Sequence, residues 1–169
     1  ENAPHRNMNA FHATYGWSFF HLLNDIAKGK KDANAIMEWH EKDLAAFNQG
    51  FQMSFITNHD ENSWNGTIDE RMGDAGDAMA VLAFTLTGMP LIYSGQEAGL
   101  DHRLQFFEKD SIDWSNLKKA DFYATLLDLK HENQALWNGK YGGEFKRLKT
   151  DKDAEVFAYT REKNGDKVV

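Results

Sequence analysis

The chain has 169 residues, 41% of them hydrophobic and none of them cysteine, with a formal charge of −7 and a pI near 5.4. That length holds one ordinary domain with a real core, and the acidic balance argues against a nucleic-acid partner, which would want a basic face. Without cysteine there are no disulfides and no thiolate chemistry, and no apolar run approaches the roughly 18 residues of a membrane span.

Glu1 to Asn9 is polar and irregular, with Pro4 early. Ala10 to Tyr15 is a short strand. Trp17 to Lys28 then reads as a helix, because Phe19, Leu22, Leu23 and Ile26 recur at helical spacing and Gly29 is placed to stop it. Asp32 is the expected N-cap of a second helix that runs to about Asn48 and carries Ile36, His40, Leu44 and Phe47 on one stripe. Gly50 is its left-handed terminator.

Phe51 to Thr57 is the strand on which the reading turns. Phe51, Met53 and Phe55 occupy one face, with Gln52 and Ser54 opposite, and Ile56 and Thr57 are β-branched. The run ends in three polar residues, Asn58, His59 and Asp60. A histidine and a carboxylate at the C-terminal end of a buried strand sit where a barrel enzyme places its chemistry. Asn62 to Gly73 reads as a long polar loop, and Asp74 or Asp77 opens a helix through about Thr87 that is apolar nearly all round and so buried on more than one side. Gly88 ends it and Pro90 introduces a Leu91-Ile92-Tyr93 strand. Gly99 to Asn116 is loop-like, and a further helix spans about Leu117 to Glu132. From Glu144 the pattern changes: Phe145 to Leu148, Glu155 to Arg161 and Lys167 to Val169 alternate like antiparallel strands, with Asn164-Gly165 as a hairpin turn. The change places a boundary near residue 142.

Two stretches resemble the signature regions of the α-amylase family of glycoside hydrolases. Asn58-His59-Asp60 is similar to the end of that family's seventh barrel strand. Gly88-Met89-Pro90-Leu91-Ile92-Tyr93-Ser94-Gly95-Gln96-Glu97 is similar to its eighth, with Ile112-Asp113-Trp114 following in the family's order. The resemblance implies an α/β fold: the C-terminal portion of a (β/α)8 TIM barrel over 1–141, about strands six to eight with their helices. The first strands of a small antiparallel β domain follow over 142–169. A complete barrel takes about 250 residues and rarely fewer than about 200. With no initiator Met and a last strand that breaks off at Val169, the chain is expected to be a piece of an enzyme.

The family's two reacting carboxylates, on strands four and five, would then precede residue 1. The resemblance gives Asp60 the third role, stabilising the oxocarbenium-like transition state, and makes His59 and Asn58 sugar-binding. Glu1 stands close to where the family's acid/base glutamate is found. That glutamate is followed by an apolar or aromatic residue, however, and Asn2-Ala3-Pro4 departs from the pattern, so Glu1 is read as lying just past it. Gln96 and Glu97 shape the floor of the site. Trp64 either stacks on a sugar or lids the core, and Arg71 pairs with Glu70 or Asp74 on the surface. The histidines show no metal-ligand spacing. No cofactor is expected within this segment, although some family members bind Ca²⁺ through loops that would lie upstream. The expected partner is an α-glucan or maltooligosaccharide, with no nucleic acid and no membrane. Open barrel edges would favour self-association. Localisation stays open between secreted, periplasmic and cytoplasmic.

Two other readings stand beside this one. A non-catalytic amylase-like scaffold would have lost the upstream carboxylates. An HD-type phosphohydrolase would use His59-Asp60 as a metal pair, but would present it from a helix.

Overall fold

The computed structural model describes residues 11–46 and 50–169. Three parallel strands, β1 (Ala13–Tyr15), β2 (Phe51–Ser54) and β3 (Met89–Pro90), form a sheet in the order β1-β2-β3. Helices α1 (Trp17–Ala27) and α2 (Ala35–Ala46) connect the first pair. A π-helical turn (Glu61–Asn65), α3 (Ile68–Met72) and α4 (Gly76–Thr85) connect the second. After β3 comes a long irregular loop, then α5 (Ala120–Glu132) and an antiparallel sheet of β4 (Glu144–Arg147), β5 (Tyr159–Lys163) and β6 (Asp166–Val168).

Helix α1 ends as its sequence predicts. Gly29 takes φ 67°, and the Lys30 amide turns back onto the Asp25 carbonyl at 2.8 Å. Gly50 likewise has φ 73°, while the expected helix end at Phe47 and Asn48, together with Glu1 and His5, lies outside the described residues. Asn164 and Gly165 both have positive φ, 50° and 98°, the backbone of the tight turn that matches strand twist.

The core lies on one side of the parallel sheet. Phe19, Leu22 and Leu23 of α1 meet Ile36 of α2, Met79, Ala83 and Phe84 of α4, and Tyr123 and Leu126 of α5. Phe145, Phe157 and Tyr159 of the antiparallel part pack against the same cluster. On α4 the inward residues are Met79, Ala80, Ala83 and Phe84, and Val81 is exposed, so burial is broad without being all round.

Three sequence expectations change. The 62–73 stretch is helical, since Thr67 and Glu70 form a reciprocal capping box that starts α3: the Glu70 amide donates to Thr67 Oγ1 at 3.1 Å and the Thr67 amide to Glu70 Oε2 at 2.7 Å. The last parallel strand is Met89–Pro90 rather than 91–93, and only the Leu91 amide continues the ladder, to Ser54 O at 2.8 Å. Proline is tolerated there because β3 is an edge, and Gly88 is needed because a Cβ would sit 2.2 Å from Ser54 Oγ. In β2 the buried face is the polar one: Gln52 and Ser54 are buried while Phe51 and Met53 are half-buried. Gln52 reaches Asp43 on α2, so this face meets the helices. Tyr15, Met53 and Met89 pair across the other face, which the helices leave uncovered.

Two buried cations join the parts. Lys130 donates to the carbonyls of Phe84 (3.3 Å), Gly88 (3.2 Å) and Leu136 (2.6 Å). Arg161, 1% exposed, donates to the carbonyls of Thr85, Leu86, Trp137 and Gly143 at 2.9–3.3 Å. Both serve the C-terminal end of α4, whose last carbonyls lack helical partners and carry the negative end of the dipole. Burial, with Arg161 adding to it, pulls the Lys130 ammonium down to about 8, against roughly 10.4 in an unfolded chain. Between these values the unfolded chain binds more protons, so this group makes stability rise with pH. Urea unfolding at pH 8, 9 and 10 is expected to show a gain of about 2 kcal/mol in the wild type relative to Lys130→Met, whose profile lacks this component.

Candidate active site

β2, the central strand, ends at Ser54, and Asn58, His59 and Asp60 follow after Phe55, Ile56 and Thr57, His59 and Asp60 already in the helical turn that runs on to Asn65. Asn58 is 1% exposed and builds the turn: its Oδ1 accepts from the Glu61 amide at 2.8 Å and its carbonyl from the Asn62 amide at 2.9 Å. Its Nδ2 has no acceptor among the described residues. This backbone pinning puts the next two side chains outward. His59 and Asp60 have half-exposed side chains, with His59 Nε2 3.6 Å from Asp60 Oδ1. The sequence-named trio therefore comes together as one buried anchor and two presented polar groups.

Arg71, expected in a surface pair, is instead buried. Its Nε donates to Gly66 O (3.0 Å), Nη1 to Asn24 Oδ1 (3.1 Å) and Nη2 to Ile56 O (2.8 Å), and the guanidinium lies 5.1 Å from the Phe20 ring centre. Desolvation lowers its pKa, opposed by Glu61 and Glu70. It thus ties α1, the exit of β2 and the loop before α3 behind the turn. The partner of Glu70 is Arg103, at 2.9 Å. That contact, ahead of the cap from Thr67, holds the Glu70 carboxyl below its usual range.

Sequence reading also missed Asn62. Buried at 2% exposure, it accepts from the Leu104 amide at 2.8 Å and donates to His102 O at 3.3 Å, fastening the loop after β3 to the site. No local pattern announces a bond across 42 residues, although the Thr67-x-x-Glu70 signature was available to find the cap. Gln96 is buried, accepting from the Tyr93 amide and donating to Tyr123 OH at 2.7 Å. Trp64 is exposed beside Phe106, 5.2 Å between ring centres, so it does not lid the core. A cleft of about 350 Å³ lies nearby, lined by Thr57, Asn62, Tyr93 and Gln96, and His59 and Asp60 are not in its wall. Among the described residues no three or more His, Asp or Glu side chains are placed to share a metal ion, and no helix is long and apolar enough to cross a membrane.

Parallel strands joined by helices, with polar groups presented at the strands' C-terminal end, are the architecture of barrel enzymes. The family model for the alpha-amylase catalytic domain matches residues 5–164, and the chain belongs to the α-amylase family of glycoside hydrolases. Alpha-amylase 2 of Dictyoglomus thermophilum is 24% identical over 148 residues, covering 78% of this chain and 26% of that protein. Among solved structures, the noncanonic maltogenic alpha-amylase AmyB of Thermotoga neapolitana superposes with a TM-score of 0.77 at 18% identity, over 93% of this chain and 36% of that one. The cyclic α-maltosyl-(1→6)-maltose hydrolase of Arthrobacter globiformis gives 0.71 at 22% identity, over 90% and 35%. The chain thus spans about a quarter to a third of these relatives. Membership in this family overturns the HD-type reading.

Replacing Arg71 by Met removes three hydrogen bonds and leaves buried acceptors unpaired, an expected loss of about 3–5 kcal/mol in urea unfolding. Arg71→Lys is expected to recover only part of it, because an ammonium lacks the planar fork that reaches three separate acceptors.

Proposed function

We propose that this chain is the C-terminal part of the catalytic barrel of a retaining, α-glucan-acting glycosidase. In this reading β1, β2 and β3 are barrel strands six, seven and eight, within 1–141, and residues 142–169 open a following all-β domain. One observation carries it: His59 and Asp60 are presented side by side just beyond the C-terminal end of the central parallel strand, in the helical turn that Asn58 opens. The short span relative to its relatives and the row Tyr15, Met53 and Met89 on the uncovered sheet face support an open barrel whose interior is completed by further strands.

A retaining glycosidase uses a nucleophile and a proton donor about 5–5.5 Å apart. Both come from outside this segment. Asp60 accepts hydrogen bonds from sugar hydroxyls and, as charge develops at the anomeric carbon, its negative charge stabilises the transition state. His59 donates to hydroxyls of the same sugar and can do so while neutral. Asn58 serves the sugar site from beneath, holding the turn and keeping its Nδ2 as a donor not claimed by the described residues. The substrate class, an α-glucan or maltooligosaccharide, is supported by neighbours named for maltogenic and maltosyl-maltose activity. No cofactor is assigned to this segment, and Ca²⁺ would belong to loops outside it. The intact Asn58-His59-Asp60 set weighs against a non-catalytic scaffold.

Reducing-sugar release from maltoheptaose, measured for the 169-residue chain and for Asp60→Asn, is expected to be nil for both. Turnover that Asp60→Asn abolishes would place a complete acid pair inside these residues and end the partial-barrel reading. The open strand edges also imply self-association. Light scattering is expected to show mass rising with concentration across the micromolar range, and a constant monomer mass would count against the open barrel.

A further inference from the structure

We propose that Trp64, Phe106 and Phe107 form a stacking platform for the glucan ring next to the one held by His59 and Asp60, a reading that rests on the site proposed above. Trp64 is 57% exposed and Phe107 81% exposed, with Phe106 between them at 39%. Their ring centres stand 5.2 Å (Trp64–Phe106), 4.8 Å (Phe106–Phe107) and 6.1 Å (Trp64–Phe107) apart. Two of the three pairs are edge-on, at 78° and 67°, an arrangement that aromatic pairs favour, and the third is tilted at 43°. Phe106 also faces the His59 ring at 6.2 Å and 29°. The apolar surface is therefore continuous with the polar pair.

The platform is held in place rather than hanging from a free loop. Asp110 accepts from the Gln105 amide at 2.9 Å and from the Ser111 amide at 2.8 Å, which closes the segment that carries both phenylalanines. Asn62 fastens Leu104 and Arg103 grips Glu70, so the loop after β3 and the turn after β2 move as one body. Trp64 sits on that turn, inside the π-helical segment. The two aromatic contributions thus come from different elements locked to each other.

The occupant follows from the chemistry of the surroundings. Aromatic faces bordered by the His59 imidazole and, beside it, the Asp60 carboxylate suit a ligand with an apolar face and a polar edge. A pyranose is such a ligand, with C–H groups on its face and hydroxyls around its rim. Recognition sites for small polar molecules combine these elements, and a wholly apolar partner would leave His59 and Asp60 without polar partners.

The test is titration of the 169-residue chain with maltoheptaose by calorimetry, beside Trp64→Ala, Phe107→Ala and Asp60→Asn. Both aromatic positions are exposed, so these variants are expected to fold, with circular dichroism as the check. Trp64→Ala and Phe107→Ala are each expected to weaken binding about tenfold. If they bind as the wild type does while Asp60→Asn loses affinity, the platform is overturned and the site reading survives. If they lose affinity and Asp60→Asn does not, the platform stands and the role of Asp60 falls. Absence of wild-type binding at millimolar sugar overturns the platform. So does an aromatic variant that changes the light-scattering mass but not the sugar affinity, because the surface would then join two copies of the chain.

Discussion

The guanidinium of Arg71 is the constraint on which the site depends. It is a charge held almost out of water, supported at a distance by Glu61 and Glu70 and hydrogen-bonded to two carbonyls and one amide oxygen. Such an arrangement survives only where its acceptors are fixed, and each belongs to a different element: α1, the strand exit and the loop before α3. The fork geometry of arginine makes one side chain a three-way brace. Once the brace is set, the chain leaving β2 has no freedom to swing, and Asn58 spends its own hydrogen bonds closing the turn. His59 and Asp60 are presented as a consequence of what lies behind them.

The same device recurs at the other end of α4, with different partners. Lys130 and Arg161 gather carbonyls from the helix terminus and from the connection after α5, so that the antiparallel sheet is sewn to the βα part by backbone acceptors. Burial pulls Arg161 down to about 10, a measure of the desolvation that its hydrogen bonds offset. His40, packed edge-on against Phe145 at 4.6 Å, is lowered by burial as well. Burial thus leaves His40 the more readily neutral, while Arg71, Lys130 and Arg161 carry cationic groups into the interior beneath a chain of net negative charge. The acidic composition describes the exterior, and reading it as a property of the whole misses these groups.

Where local pattern decides structure, the sequence was readable. Helical spacing with a glycine stop gave α1, and Asn164-Gly165 gave the hairpin, because each depends on a few adjacent residues. That Asn58-His59-Asp60 follows a strand was visible too, although the strand ends at Ser54 rather than Thr57 and His59 and Asp60 already turn helically. Burial was not. Arg71 looked like any loop arginine because its acceptors lie 47 and 15 residues away along the chain. The faces of β2 were assigned by hydrophobicity, yet its polar residues face the helices, where Gln52 meets Asp43. Phe51 and Met53 lie on the other side, whereas Phe55, past the strand end, is buried against Trp17 and Phe20 of α1. Alternation reveals that a strand has two faces without saying which of them the helices cover. The 62–73 stretch looked like loop because α3 is too short to show a stripe, and only its cap gives it away.

The loop that carries Phe106 and Phe107 is fastened to the turn by two clasps of different kinds. Arg103 and Glu70 are an exposed ion pair, which salt screens within about 3 Å at 1 M ionic strength and about 8 Å at 0.15 M. The Asn62 bonds to Leu104 and His102 are neutral and largely buried, and electrolyte hardly touches them. Strong salt weakens the first clasp and leaves the second, and because His102 and Leu104 flank Arg103 the Asn62 bonds hold the same point of the loop. Glu70 keeps its hold on Thr67 throughout, so the helix beneath does not follow. The attachment is thus redundant: with the charged clasp weakened, the segment bearing Phe106 and Phe107 stays joined to the turn bearing Asp60 through one buried amide side chain.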